Sequence, residues 1–199
     1  MPTQSRQARR YRVIAIGAST GGPGAVVEIL RALPFDFPLP VLLVLHIGEP
    51  FGAAFADWLA GRTDRSVSYA RGGELLSSSA GQVLMAPPGR HLVVRGDRLW
   101  LTNDAERHSC RPSVDVLFES LAQEVGAAAA LCLLTGMGKD GAAGLLAARK
   151  AGALTIAQDE ATCVVYGMPR EAVRLGAAER ILPLQDIGPA LASLGRHGQ

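Results

Sequence analysis

Short apolar runs recur along the chain, each followed by a Gly- or Pro-containing turn and then by an Ala/Leu-rich stretch with helical spacing. That alternation predicts strands each followed by a helix, the order that builds a parallel sheet covered on both faces. Tyr11 to Ile16 reads as the first strand and Gly22 to Leu33 as its helix; Leu39 to Leu45 and Phe51 to Leu59 repeat the pair. The pattern returns late, with strands at Leu131 to Leu134 and Ala153 to Ala157 and helices at Ala142 to Lys150, Arg170 to Leu175 and Asp186 to Leu194. Between these halves, Gln82 to Met85, His91 to Arg95 and Arg98 to Leu101 have strand texture, and Arg95-Gly-Asp-Arg98 predicts the turn of an antiparallel hairpin. The expected fold is α/β: a doubly wound, mostly parallel sheet flanked by helices, Rossmann-like and three-layered, with a β-hairpin insertion.

Composition narrows the picture. At 199 residues with 48% hydrophobic side chains, the chain suits one domain, expected over 12–194, with 1–11 and 195–199 as frayed tails. Its 20 basic and 18 acidic residues are dispersed, which argues against a nucleic-acid surface. No apolar window is long enough for a membrane span, and Arg9 and Arg10 precede no signal-type core, so a cytoplasmic location without membrane insertion is expected. Cys110, Cys132 and Cys163 form no C-x-x-C pair, which fits reduced thiols and no metal site; Cys132 reads as a core thiol.

In an open α/β sheet the ligand site lies beyond the carboxyl ends of the strands, and three such ends carry chemistry. In Gly17-Ala-Ser-Thr-Gly-Gly22, Ser19 sits among small residues in a strand-to-helix turn that exposes its hydroxyl, a nucleophile-elbow logic without the usual spacing. The amides near Thr20, Gly21 and Gly22 open a helix and form a candidate oxyanion hole. His46 ends the second strand and is the best-placed base, while Asp140, after a later strand, is placed to hold that imidazole in one tautomer. Each has a plainer reading: Ser19 and Asp140 as helix N-caps, His46 as a strand-end histidine. His91, expected on a rim, and His108, in a polar loop, compete for the base role; His197 falls in the tail.

Cofactor signatures need separate weighing. Gly136-Met-Gly-Lys-Asp-Gly141 matches a dinucleotide fingerprint, with Asp159 and Glu160 ending the next strand, but Asp140 at the helix entrance would repel a pyrophosphate. Neither a Tyr-x-x-x-Lys pair nor a P-loop is present, so no cofactor is expected and an oxidoreductase stands as the weaker alternative.

Taken together, Ile14-Ala-Ile-Gly-Ala-Ser-Thr-Gly-Gly-Pro23, Ala86-Pro-Pro-Gly-Arg-His91, Arg111-Pro-Ser-Val-Asp115, Leu134-Thr-Gly-Met-Gly-Lys-Asp-Gly141, Gln158-Asp-Glu160 and Val165-Tyr-Gly-Met-Pro-Arg-Glu171 resemble the catalytic domain of the CheB-type protein-glutamate methylesterases of bacterial chemotaxis. The resemblance runs from about Arg12 to about Leu182. It implies a serine esterase that hydrolyses glutamate γ-methyl esters on the helical bundle of a methyl-accepting chemotaxis receptor and deamidates particular glutamines. It further implies Ser19 as nucleophile, His46 as base and Asp140 as orienter, with Thr20 and Met137 near the site and Arg111 shaping the cleft. A non-catalytic receptor-binding adaptor is the alternative from another class.

Two departures from the family pattern stand out. Ile47 follows His46 where methionine is common, a volume-conserving change. The family also carries a phosphorylated receiver, which needs roughly a hundred residues, whereas roughly ten precede Tyr11. The expectation is an enzyme not controlled by phosphorylation in cis, with a separate response regulator as a further partner.

Overall fold

A computed structural model describes residues 10–48 and 52–195. The expected start of the second helix at Phe51, the residues 1–9 and 196–199 of the two tails, and His197 lie outside the described residues.

Among the described residues nine strands and six α-helices follow in order: β1 Val13–Ala18, α1 Gly22–Ala32, β2 Val41–Leu45, α2 Gly52–Thr63, β3 Val67–Tyr69, β4 Val83–Met85, β5 His91–Arg95, β6 Arg98–Thr102, α3 Val114–Glu124, β7 Ala129–Leu133, α4 Ala142–Lys150, β8 Leu154–Gln158, α5 Met168–Arg174, β9 Arg180–Leu182 and α6 Leu184–Leu194. Seven strands form one parallel sheet in the order β3-β4-β2-β1-β7-β8-β9. The chain winds outward from β1 through β2 and β4, then returns to place β7 on the other side of β1. That reversal makes the carboxyl end of β1 the topological switch point, where an open α/β sheet forms its crevice.

The period-2 geometry of a strand explains why the central strands are apolar throughout. Val13 and Ala15 of β1 face a layer built with Leu117, Phe118 and Leu121 of α3 and Leu145 of α4. Ile14, Ile16 and Ala18 face the opposite layer, with Val26 and Ile29 of α1 and Ile187 and Leu191 of α6. Every residue of β1, β2, β7 and β8 is buried, Cys132 included. Among the described residues no helix is long and apolar enough to cross a membrane.

Strands β5 and β6 pair antiparallel apart from the main sheet, with Arg95 opposite Arg98 across Gly96-Asp97, the expected hairpin. It is tied to α3, because the Val94 amide donates to Ser120 Oγ at 3.0 Å and the Gly96 amide to Glu124 at 2.9 Å.

Three elements were not anticipated. The edge strands β3 and β9 have only three residues each, too few to show periodicity. Helix α3 is different: Ser113 caps it through Val116 N, and Val114, Leu117, Phe118 and Leu121 form a complete i, i+3, i+4, i+7 stripe. That signal was present in the sequence. Strand β7 also begins two residues before the predicted Leu131, in an alanine run whose helix propensity masks a buried strand.

Candidate active site

Ser19 leaves the end of β1, His46 the end of β2, and Asp140 the turn beyond β7, so one sheet edge brings all three together. The register is tight, since the His46 amide donates to the Ala18 carbonyl at 3.1 Å and the Ser19 amide to the Thr135 carbonyl at 3.0 Å. Gly136 permits that closeness: a Cβ on it would stand 2.8 Å from Ser19 Cβ and 2.3 Å from Met168 Sδ.

Neither Ser19 nor Asp140 is the cap of the helix that follows it. Gly21 and Gly141 hold the N-cap positions of α1 and α4, both in the left-handed region, at φ 81° and 88°, that disfavours other residues. Freed from that task, Asp140 points to another helix start. Its Oδ2 accepts from His46 Nε2 at 2.9 Å and from the Val114 amide at 2.7 Å; its Oδ1 accepts from Ser113 Oγ at 2.7 Å and from the Asp115 amide at 3.0 Å. Only 2% of Asp140 is exposed. Burial alone would raise its pKa, but the donors His46, Asp115, Ser113 and Val114 outweigh that effect and hold the carboxyl below its ordinary range. It therefore stays anionic at the positive end of α3.

The His46 ring gives Nε2 to Asp140, which leaves Nδ1 as the basic nitrogen. Among the described residues the Ser19 hydroxyl makes no hydrogen bond, to His46 or to any other group; instead, Cys110 Sγ faces Nδ1 at 3.8 Å. Burial first, then the charges of Asp140 and Glu106, push the Cys110 thiol up to about 11, so it is a neutral neighbour.

The competing histidines are held elsewhere. His91 is fully buried rather than on a rim: its Nε2 donates to the Ala105 carbonyl at 3.2 Å and its Nδ1 accepts the Ser113 amide at 3.1 Å. It thereby supports the serine that binds Asp140. His108 pairs with the buried Asp115 at 3.1 Å; Asp115 also accepts the Gly144 amide at 2.6 Å, and burial first, then the nearby Asp140 charge, raises its pKa despite the Gly144 and Arg107 contributions.

The expected oxyanion amides divide. The Gly22 amide donates to the Ser19 carbonyl at 2.8 Å, closing the turn, so it is not available to a substrate. The amides of Thr20 and Gly21 carry no hydrogen bond among the described residues. Thr135 fixes this turn, because its hydroxyl donates to the Thr20 carbonyl at 2.9 Å and accepts from the Val165 amide at 3.0 Å. Met137 is 76% exposed, not packed in the core, and lines an open cavity of about 490 Å³ with His108, Cys110, Lys139, Asp140 and Arg170. Arg111 donates through Nη1 to the Asp104 carbonyl at 3.2 Å, and its Nε is buried without a partner among the described residues.

The sequence reading missed Ser113, Thr135 and Cys110 as neighbours of the site. Ser113 was findable as a cap before an apolar stripe; the other two depend on which loops meet, which no local pattern encodes.

A family model described as CheB methylesterase matches residues 14–191. A protein-glutamate methylesterase/protein-glutamine glutaminase of Anaeromyxobacter dehalogenans is 48% identical over 190 residues, covering 96% of this chain and 55% of that protein. One from Pseudomonas aeruginosa is 50% identical over 184 residues, covering 90% of this chain and 52% of that protein. The chain thus spans about half the length of the curated relatives it matches. The Thermotoga maritima CheB methylesterase catalytic domain superposes with a TM-score of 0.86 at 32% identity, covering 92% of this chain and 98% of that structure. With the hairpin and all three loaded strand ends inside the matched residues, the chain belongs to the CheB methylesterase family.

Proposed function

We propose that this chain is a protein-glutamate methylesterase acting on glutamate γ-methyl esters of a chemosensory receptor, with Ser19 as nucleophile, His46 as general base and Asp140 as orienter. The observation that carries the reading is the buried, anionic Asp140 bound to His46 Nε2, at the same sheet edge as the half-buried Ser19. The hydroxyl of Ser19 attacks the ester carbonyl as His46 Nδ1 takes its proton, and the imidazolium, stabilised by Asp140, then protonates the departing methanol. Water, deprotonated by the same ring, hydrolyses the glutamyl-enzyme. The Ser19–His46 hydrogen bond is the contact that has to form, and such bonds commonly tighten only with substrate bound. Thr20 and Gly21 supply free amides for the oxyanion.

Ammonia in place of methanol gives glutamine deamidation by the same steps, the second activity in the relatives' names. A receptor helix as partner is supported by exposed Met137 at the cavity and exposed Val164 beside Gly21, which offer apolar contacts around the Ser19 turn. The test is methanol release from methylated receptor membranes: release that disappears with Ser19→Ala supports the reading, and no release by the wild-type chain rejects it.

A further inference from the structure

The mechanism gives Cys110 no step, yet its sulfur faces the one ring nitrogen that the mechanism needs. Among the described residues, His46, Cys110 and Asp140 are the single group of three or more His, Cys, Asp or Glu side chains whose donor atoms all lie within 4.8 Å of one another. The geometry points to a soft divalent-metal site on Cys110 Sγ and His46 Nδ1 that takes a zinc-class ion and, when filled, switches the esterase off.

The spacing fits coordination. Zinc bonds of about 2.3 Å to sulfur and about 2.1 Å to nitrogen, at a near-tetrahedral angle, put the two donors about 3.6 Å apart. The observed separation is 3.8 Å, so a small shift of either side chain suffices. Asp140 completes the arrangement at the other ring nitrogen, with its carboxylate also close to the sulfur. By accepting Nε2–H at 2.9 Å it fixes the tautomer whose lone pair is on Nδ1, the carboxylate–histidine relation that raises the basicity of a metal-bound imidazole. Two protein ligands leave open positions, and the cavity lined by Cys110 and Asp140 gives an ion and its waters a route in.

Binding breaks the Cys110 S–H bond, releases its proton to solvent and forms a sulfur–metal bond, while His46 donates its Nδ1 lone pair without losing a proton. The same lone pair removes the proton of Ser19 in the reaction, so the metal and catalysis exclude each other. Hard cations such as magnesium and calcium prefer oxygen ligands and have little affinity for this pair. The inhibitory consequence rests on the proposed esterase reading; metal binding itself does not.

The experiment titrates the purified, reduced chain with zinc chloride, counts bound metal after desalting, and repeats the titration with cobalt to look for the thiolate-to-cobalt charge-transfer absorption. Cys110→Ala and Cys163→Ala are compared, with ester hydrolysis of each referred to its own zinc-free rate. The expected result is about one zinc per wild-type chain, a charge-transfer band, and inhibition over the same zinc range that a chelator reverses and magnesium does not mimic. Cys110→Ala should lose the band and weaken binding by more than the roughly 10- to 100-fold that loss of an outer-shell partner costs, while Cys163→Ala behaves as wild type. Wild-type binding by Cys110→Ala, or a wild-type chain that holds no zinc, overturns the site. Full hydrolysis with the site filled overturns the switch. Zinc bound through Cys110 in a chain that hydrolyses no ester with or without metal upholds the site and rejects the esterase.

Discussion

Asp140 joins the imidazole of His46 to the start of α3: the carboxylate oxygen 2.9 Å from His46 Nε2 also accepts the Val114 amide at 2.7 Å. The orientation of the His46 ring is therefore set by a helix terminus and not by a flexible loop, which gives the proposed triad a testable rigidity.

Ser19→Ala removes the proposed nucleophile and, among the described residues, no side-chain hydrogen bond. Methanol release should fall by about three orders of magnitude or more with the unfolding midpoint unchanged. Near wild-type turnover by a folded variant ends the case for Ser19.

Asp140→Asn should harm rate and stability together, because an amide cannot accept from four donors at once. Turnover should fall by roughly 10⁴-fold, and unfolding in urea should show a loss of about 1–3 kcal/mol. The pH dependence has a definite sign: the depressed folded-state pKa of Asp140 contributes stability that is complete above the unfolded carboxyl value and is lost as pH falls through the folded one. The asparagine variant should lack that part of the acid limb. An unchanged rate contradicts the orienting role.

His91→Phe fills the same buried space but strands the Ser113 amide and the Ala105 carbonyl. Stability should drop by roughly 2–4 kcal/mol, with a smaller loss of rate transmitted through Ser113. The opposite pattern, full stability and no activity, makes His91 the base instead.

Gly136→Ala presses a methyl group against Ser19 Cβ and Met168 Sδ. Overpacking should cost about 1–3 kcal/mol and displace the nucleophile. Met168→Ala opens a cavity of its own in the core, at about 2–5 kcal/mol, so the double variant is referred to Met168→Ala alone; on that scale only the sulfur contact is relieved, and thermal stability should recover more than kcat does. Equal recovery of both argues that Ser19 tolerates the methyl.

The central strands were legible because a two-faced parallel sheet writes itself as unbroken apolar runs, and Ser19, His46 and Asp140 were legible because each follows such a run. Two site details were not. The Gly22 amide was expected in the oxyanion hole, but the tight turn that exposes Ser19 closes by using that amide on the Ser19 carbonyl. His91 was placed on a rim because Pro87-Pro-Gly89 precedes it, yet the hairpin folds inward onto α3 and buries it completely. Both misses arise from contacts between distant segments, which periodicity does not record.

The sheet order also bears on the life of the chain before it is complete. Ser19 and His46 lie at the ends of neighbouring strands that are the first of the sheet to be made, but Asp140 follows β7, which takes its place beside β1 only after the hairpin and α3 have been made. A growing chain that has β1 and β2 in place thus has a serine and a histidine without the carboxylate that orients them, and the base is drawn into position when a long-range parallel pairing closes, a slow class of event. Esterase competence should appear late and abruptly during refolding, in step with the docking of β7, so that a half-made chain is chemically silent toward the esters around it.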